Sequence, residues 1–140
     1  PDSEPAWLYR GASAAELVRV ALALCAMERT PDPRALARAW YGAADDDGKR
    51  AILRALPLTH RPEQHAHLGA IASRSSAAPV FEAIACENPY PARYFGDAAF
   101  SQLVLKADFM GLDIARIIGV GRWHAEQRRS GTFAVVRRAA

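Results

Sequence analysis

Cysteine is scarce, with only Cys25 and Cys86 in 140 residues. Two thiols cannot build a disulfide framework, and both fall in apolar helical patterns, which reads as buried thiols in a reducing cytoplasm. No apolar run reaches the ~18 residues that a membrane span requires. The opening PDSEPAWLYR has no basic n-region and no long apolar h-region, so no secretory signal is expected. A glycine-rich phosphate loop, a dinucleotide fingerprint and a G-x-S-x-G elbow are all missing. Strand patterns are almost missing too: TFAVV near the end is short and isolated. The absences leave a helical chain without an established catalytic signature.

What is present is apolar and locally charged. A hydrophobic content of 51% excludes a disordered chain. The net charge of +3 is concentrated at one end, where Arg122, Arg128, Arg129, Arg137 and Arg138 face Glu126 alone. A nucleic-acid reader spreads its basic residues along a groove or folded face, so no nucleic-acid partner is expected. The expected organisation is a single helical domain over residues 1–121, followed by an arginine-rich, loosely ordered tail over 122–140.

Capping signals divide the chain. Ser13 and Glu16 form a capping box before an apolar pattern through Leu17, Leu24, Cys25 and Met27. Asp32 with Pro33 starts a second helix, and the Asp45–Asp47 run precedes a third, where a helix dipole favours acids. The spacing of these three carboxylates does not fit a calcium loop. Pro62 and Pro79 open two more helices. Asp97 is expected to cap AAFSQLVLKADFM, which is apolar on more than one side and so reads as the central helix. Asp113 should cap a short helix, IARIIGV. Helices joined by short Pro, Gly and Asp turns pack as antiparallel hairpins, giving an all-α compact bundle or a short HEAT-like superhelix.

Two segments carry candidate chemistry. In HRPEQHAH, His65 and His67 at i and i+2 point about 200° apart on a helix and cannot share an ion. Glu63 and His67 could supply two ligands, but nothing fixes a third, so no metal is expected and the segment reads as an exposed polar helix start. The other segment, ENPYPARYF, packs two prolines, two tyrosines and a phenylalanine into Glu87–Phe95. Pro89 and Pro91 stiffen it. Asn88 can donate and accept, and Arg93 offers a planar fork for carboxylate or phosphate. Tyr90 and Tyr94 pair rings with hydroxyls that seek partners when buried. Gln102 and Lys106, four residues apart, share a face of the next helix. A buried lysine there would need a carboxylate such as Glu82 or Glu87. Asn88, Tyr90, Arg93, Tyr94, Gln102 and Lys106 thus form a candidate polar wall on an apolar floor, as small-molecule pockets have. The competing reading makes the loop a staple whose rings fill the gap between hairpins.

The run VFEAIACENPYPARYFGDAAFSQLVLKADFMGLDIARIIGV, Val80 to Val120, resembles the EboA-type domain family, in which a VFEAIA..NPYP..YF segment precedes a QLVLKA helix. RAILRALPLTHRPE upstream is also similar, so the resemblance covers Trp40 to Val120. Two features depart from the family pattern: Asp108 at a position expected to be apolar, and GRWHAEQRRSGTFAVVRRAA in place of a long arginine-rich helix. The resemblance implies a metabolite-traffic factor of bacterial and algal secondary-metabolite clusters, linked to delivering a precursor across the inner membrane. No catalytic residues are assigned to that family. The expected function is binding a hydrophobic or aromatic metabolite intermediate, or the pathway enzyme carrying it, without a cofactor. One alternative is a small cofactor-free enzyme using Tyr90, Tyr94 or Lys106 as general acid or base. Another is an adaptor docking on an acidic partner or membrane surface.

Overall fold

Side-chain caps and prolines set the helix starts, and the computed structural model describes residues 5–130. After a single-turn α1 (Ala6–Gly11), α2 (Ala14–Arg29) begins where Ser13 Oγ accepts the Glu16 N–H at 3.1 Å. The Asp32 carboxylate accepts from Ala35 N, and Pro33 occupies the first turn of α3 (Pro33–Ala43). Asp45 accepts from Gly48 N at 2.9 Å and starts α4 (Asp46–Ala55), with Asp46 and Asp47 in its first turn against the dipole. Each cap satisfies an amide that the helix itself leaves open.

Proline also opens several of the elements that follow. Two 3₁₀ turns, Leu56–Leu58 and Pro62–His65, lead into α5 (Ala66–Ser73), and Pro79 lies in the first turn of α6 (Ala78–Ala85). A short α7 (Tyr90–Tyr94) precedes α8 (Asp97–Phe109), a 3₁₀ turn at Ile114–Arg116, and α9 (Val120–Ser130). The fold is all-α, with no strand among the described residues. Of these helices none is long and apolar enough to cross a membrane. TFAVV lies outside the described residues.

The centre is α4, not α8. Helix α4 packs most extensively against α2 and α6, and every residue from Ala51 to Ala55 is buried. Helix α8 buries Phe100, Leu103, Val104 and Ala107 but leaves Leu105 and Phe109 exposed, Phe109 by 77%. The apolar residues outside its main stripe therefore face outward. Asp97 is the first residue of α8, with Gly96 as the cap, and Asp113 caps a 3₁₀ turn rather than an α-helix. Cys86 is buried as expected, but Cys25 is exposed on α2. The expected boundary after residue 121 falls inside α9, whose Trp123 is only 3% exposed and donates its indole N–H to Ser101 Oγ.

Arg54, at the middle of the core, is 1% exposed. Its guanidinium donates to the carbonyls of Trp7, Leu8 and Cys86, and its Nε lies 3.7 Å from Glu16. Burial pushes its pKa down while Glu16 pushes it back up. Arg50 joins Glu16 at 2.9 Å to Glu82 at 3.2 Å, and Arg116 joins Glu82 at 3.1 Å to Glu87 at 2.7 Å. Three arginines and three glutamates thus form a chain that runs from buried Arg54 and Glu16 out to half-exposed Glu82 and Arg116, tying α2, α4 and α6 to the segment after α8.

Candidate functional site

The segment Glu87–Phe95 begins with a left-handed residue, Glu87 at φ 45°, whose N–H donates to Arg116 O. Such a conformation costs energy for a non-glycine residue, and here the Arg116 fork on the Glu87 carboxylate holds it. Asn88 comes next, 1% exposed. Its Nδ2 donates to Leu53 O at 3.1 Å and Ala83 O at 3.0 Å, and its Oδ1 accepts from Tyr90 N at 2.9 Å. One amide side chain thus joins α4, α6 and the start of α7.

Tyr90 is wholly buried, and its hydroxyl donates to Pro62 O at 2.7 Å. Its ring centroid is 4.7 Å from that of Tyr94 and 6.3 Å from that of Phe95, edge-on to the latter. Gly69 of α5 makes this approach possible, because a Cβ there would lie 2.9 Å from the Phe95 ring and 3.0 Å from the Tyr90 ring. Two of the segment's rings are half-buried, Tyr94 and Phe95, while Arg93 is exposed.

Tyr94 and Phe95 form one wall of a cavity of about 600 Å³. Ala70 and Ser73 of α5 form a second wall, and Ala99, Gln102, Leu103 and Lys106 of α8 a third. Of the six expected ligand-binding residues, Tyr94, Gln102 and Lys106 therefore meet on one cavity. Asn88 and Tyr90 lie behind it with their polar groups engaged, and Arg93 is not on its lining. Sequence reasoning missed Ser73 and Arg74, which the Ser73–Ser76 run at the end of α5 could have suggested.

Lys106 has no carboxylate partner among the described residues. Its ammonium donates to Ser73 O at 3.0 Å and Ser75 O at 2.8 Å, closing the C-terminal end of α5, and stands 4.6 Å from the centroid of the Phe81 ring. Glu82 and Glu87, the expected partners, belong to the arginine chain. Desolvation lowers the Lys106 pKa, and burial, aided by Tyr94 and Glu63, raises that of Tyr90 well above the ordinary phenol value. Tyr90 is thereby a poor proton donor, and Lys106 commits protons to two carbonyls. What remains is a site suited to hold a ring and orient it by hydrogen bonds from Gln102 and Lys106.

His65 is buried rather than exposed, and neither ring nitrogen has a hydrogen-bond partner among the described residues. Burial, with a smaller contribution from Arg34, lowers its pKa below the ordinary histidine value. His67 is exposed and lines a different cavity, so the two rings do diverge. Among the described residues no three His, Cys, Asp or Glu side chains converge as metal ligands would.

The family model described as metabolite traffic protein EboA matches residues 3–136, nearly the whole chain. The match extends past the region where the sequence pattern departs, and α9 supplies an arginine-bearing helix there. No curated protein and no solved structure matches the chain significantly.

Proposed function

We propose, from the premise that this chain belongs to the EboA family of metabolite traffic proteins, that it carries a small aromatic intermediate of a bacterial secondary-metabolite pathway in the cavity between α5, α7 and α8. The carrying observation is the lining: the rings of Tyr94 and Phe95 and the side chain of Leu103 give an apolar floor, and Gln102 and Lys106 give polar edges. A cavity of about 600 Å³ is of the size that buries a small organic molecule. Loading and release fit a cytoplasmic carrier that hands its cargo to a pathway enzyme or a membrane-associated partner.

Native mass spectrometry of protein purified from its own host tests this. The wild type should retain a small-molecule adduct, and Ala99→Trp, which fills the cavity from the exposed side of α8, should lose it with an unchanged melting curve. An adduct held equally by both proteins would move the cargo elsewhere.

A further inference from the structure

A second cavity, of about 720 Å³, opens between α3, α4, α5 and the start of α6. It is charged where the first is aromatic. Arg38 of α3, Lys49 of α4 and Arg74 just past α5 line it, with His67 beside them and Asp46 as the only carboxylate on the lining. None of these three cations forms an ion pair with a carboxylate among the described residues. Lys49 stands 5.5 Å from the centroid of the Tyr41 ring, and the Tyr41 hydroxyl has no hydrogen-bond partner among the described residues. Burial, with the nearby Asp46 charge, raises the Tyr41 pKa and keeps this hydroxyl a donor. Ala77 and Val80 bring the first turn of α6 to the same wall, and no side chain caps its amides.

Elsewhere the fold balances its inward charges, arginine against glutamate, along the Glu16–Arg50–Glu82–Arg116–Glu87 chain. Here three cations, the exposed Arg38 and Arg74 and the half-buried Lys49, line one concavity with Asp46 as the single carboxylate beside them. A bound anion with several oxygens would balance the excess positive charge. Guanidinium forks from two sides suit phosphate oxygens, and the cavity is larger than one phosphate needs. We propose that this cavity binds the phosphate or diphosphate group of a phosphorylated small molecule. The site is separate from the aromatic cavity, with Arg74 the one charged residue on both linings, and it stands whether or not that cavity carries cargo.

Calorimetric titration at low ionic strength, with inorganic pyrophosphate and 1-naphthyl phosphate as probes, tests the proposal. Both should bind saturably at one site per chain, and binding should weaken as salt rises. Arg38→Leu and Lys49→Met should each weaken it about tenfold or more, and Asp46→Asn should tighten it. Unchanged melting curves would show that these variants fold, and Arg38→Lys should lose less than Arg38→Leu. Neither Arg38 nor Lys49 lines the aromatic cavity, so uncharged 1-naphthol reports that cavity independently. Titrations without saturation would overturn the phosphate site, as would affinities indifferent to all three substitutions. Sedimentation with phosphatidylglycerol vesicles in the absence of pyrophosphate binding would also overturn it, in favour of a lipid surface.

Discussion

Replacing Asn88 should unfold the protein sooner, without first touching ligand binding. Asn88→Ala removes two donated hydrogen bonds and one accepted bond, all buried. The Leu53 carbonyl keeps the Leu56 N–H as a partner, so its loss is partial. Tyr90 N–H loses its acceptor, and an orphaned buried donor costs about 1–3 kcal/mol. With the two weakened carbonyls the total comes to roughly 2–4 kcal/mol, or a melting temperature lower by on the order of 10 °C for a chain this size. Asn88→Asp should be worse at pH 7, because a carboxylate would face the Leu53 and Ala83 oxygens. Desolvation raises the folded-state pKa of such an acid above the ~3.9 of the unfolded chain. The folded protein then binds more protons between these values, so the deficit of this variant against wild type should shrink as pH falls from 7 toward 4. Urea unfolding across that range reads both effects. An Asn88→Ala protein within about 0.5 kcal/mol of wild type would refute the staple argument. So would reduced retention of the host adduct at unchanged stability, since Asn88 would then face the cargo.

Two further outcomes test other parts of the fold. His65 has a lowered folded-state pKa, so the unfolded chain binds the extra proton below pH ~6.5 and stability should fall there by up to about 1.4 kcal/mol per pH unit. His65→Leu should be neutral or stabilising at pH 7 and should flatten that slope; an identical acid slope in both proteins would assign it to other groups. Trp123→Ala should cost about 3–5 kcal/mol by urea unfolding if α9 is docked through this ring, and a cost under ~1 kcal/mol would detach the helix from the core.

Local chemistry was the legible part. Ser13, Asp32 and Asp45 act on amides within three residues of themselves, so their sequence context is enough to place α2, α3 and α4. The misplaced centre has the opposite cause. DDGKRAILRA looks half-polar, but Arg54 is buried through carbonyls of Trp7, Leu8 and Cys86, none of them near it in the chain. An arginine can enter a core only where such distant partners exist, and no window of sequence contains them. The same limit affected the candidate site. Tyr94, Gln102 and Lys106 meet because one loop feeds one helix, whereas Lys106 closes α5 through Ser73 and Ser75, more than thirty residues upstream.

The arginine–glutamate chain links these observations to the two cavities. A buried ion pair gains little net stability, because desolvation offsets most of the attraction. Its geometry, however, admits few alternatives: Arg50 must reach Glu16 on α2 and Glu82 on α6 at once, and Arg116 must reach Glu82 and Glu87 together. Sliding α6 along α4 by one residue would break the Arg50–Glu82 and Arg116–Glu82 pairs and leave partly desolvated charges unmatched. Such a penalty fixes register more firmly than apolar packing, which tolerates small shifts. Helix α6 carries Phe81 beneath the Lys106 ammonium at one cavity and Val80 on the lining of the other. Glu16, Glu82 and Glu87 are all engaged in the chain, and none of them lies on the lining that carries Arg38, Lys49 and Arg74. One network thereby sets the position of α6 beside both cavities.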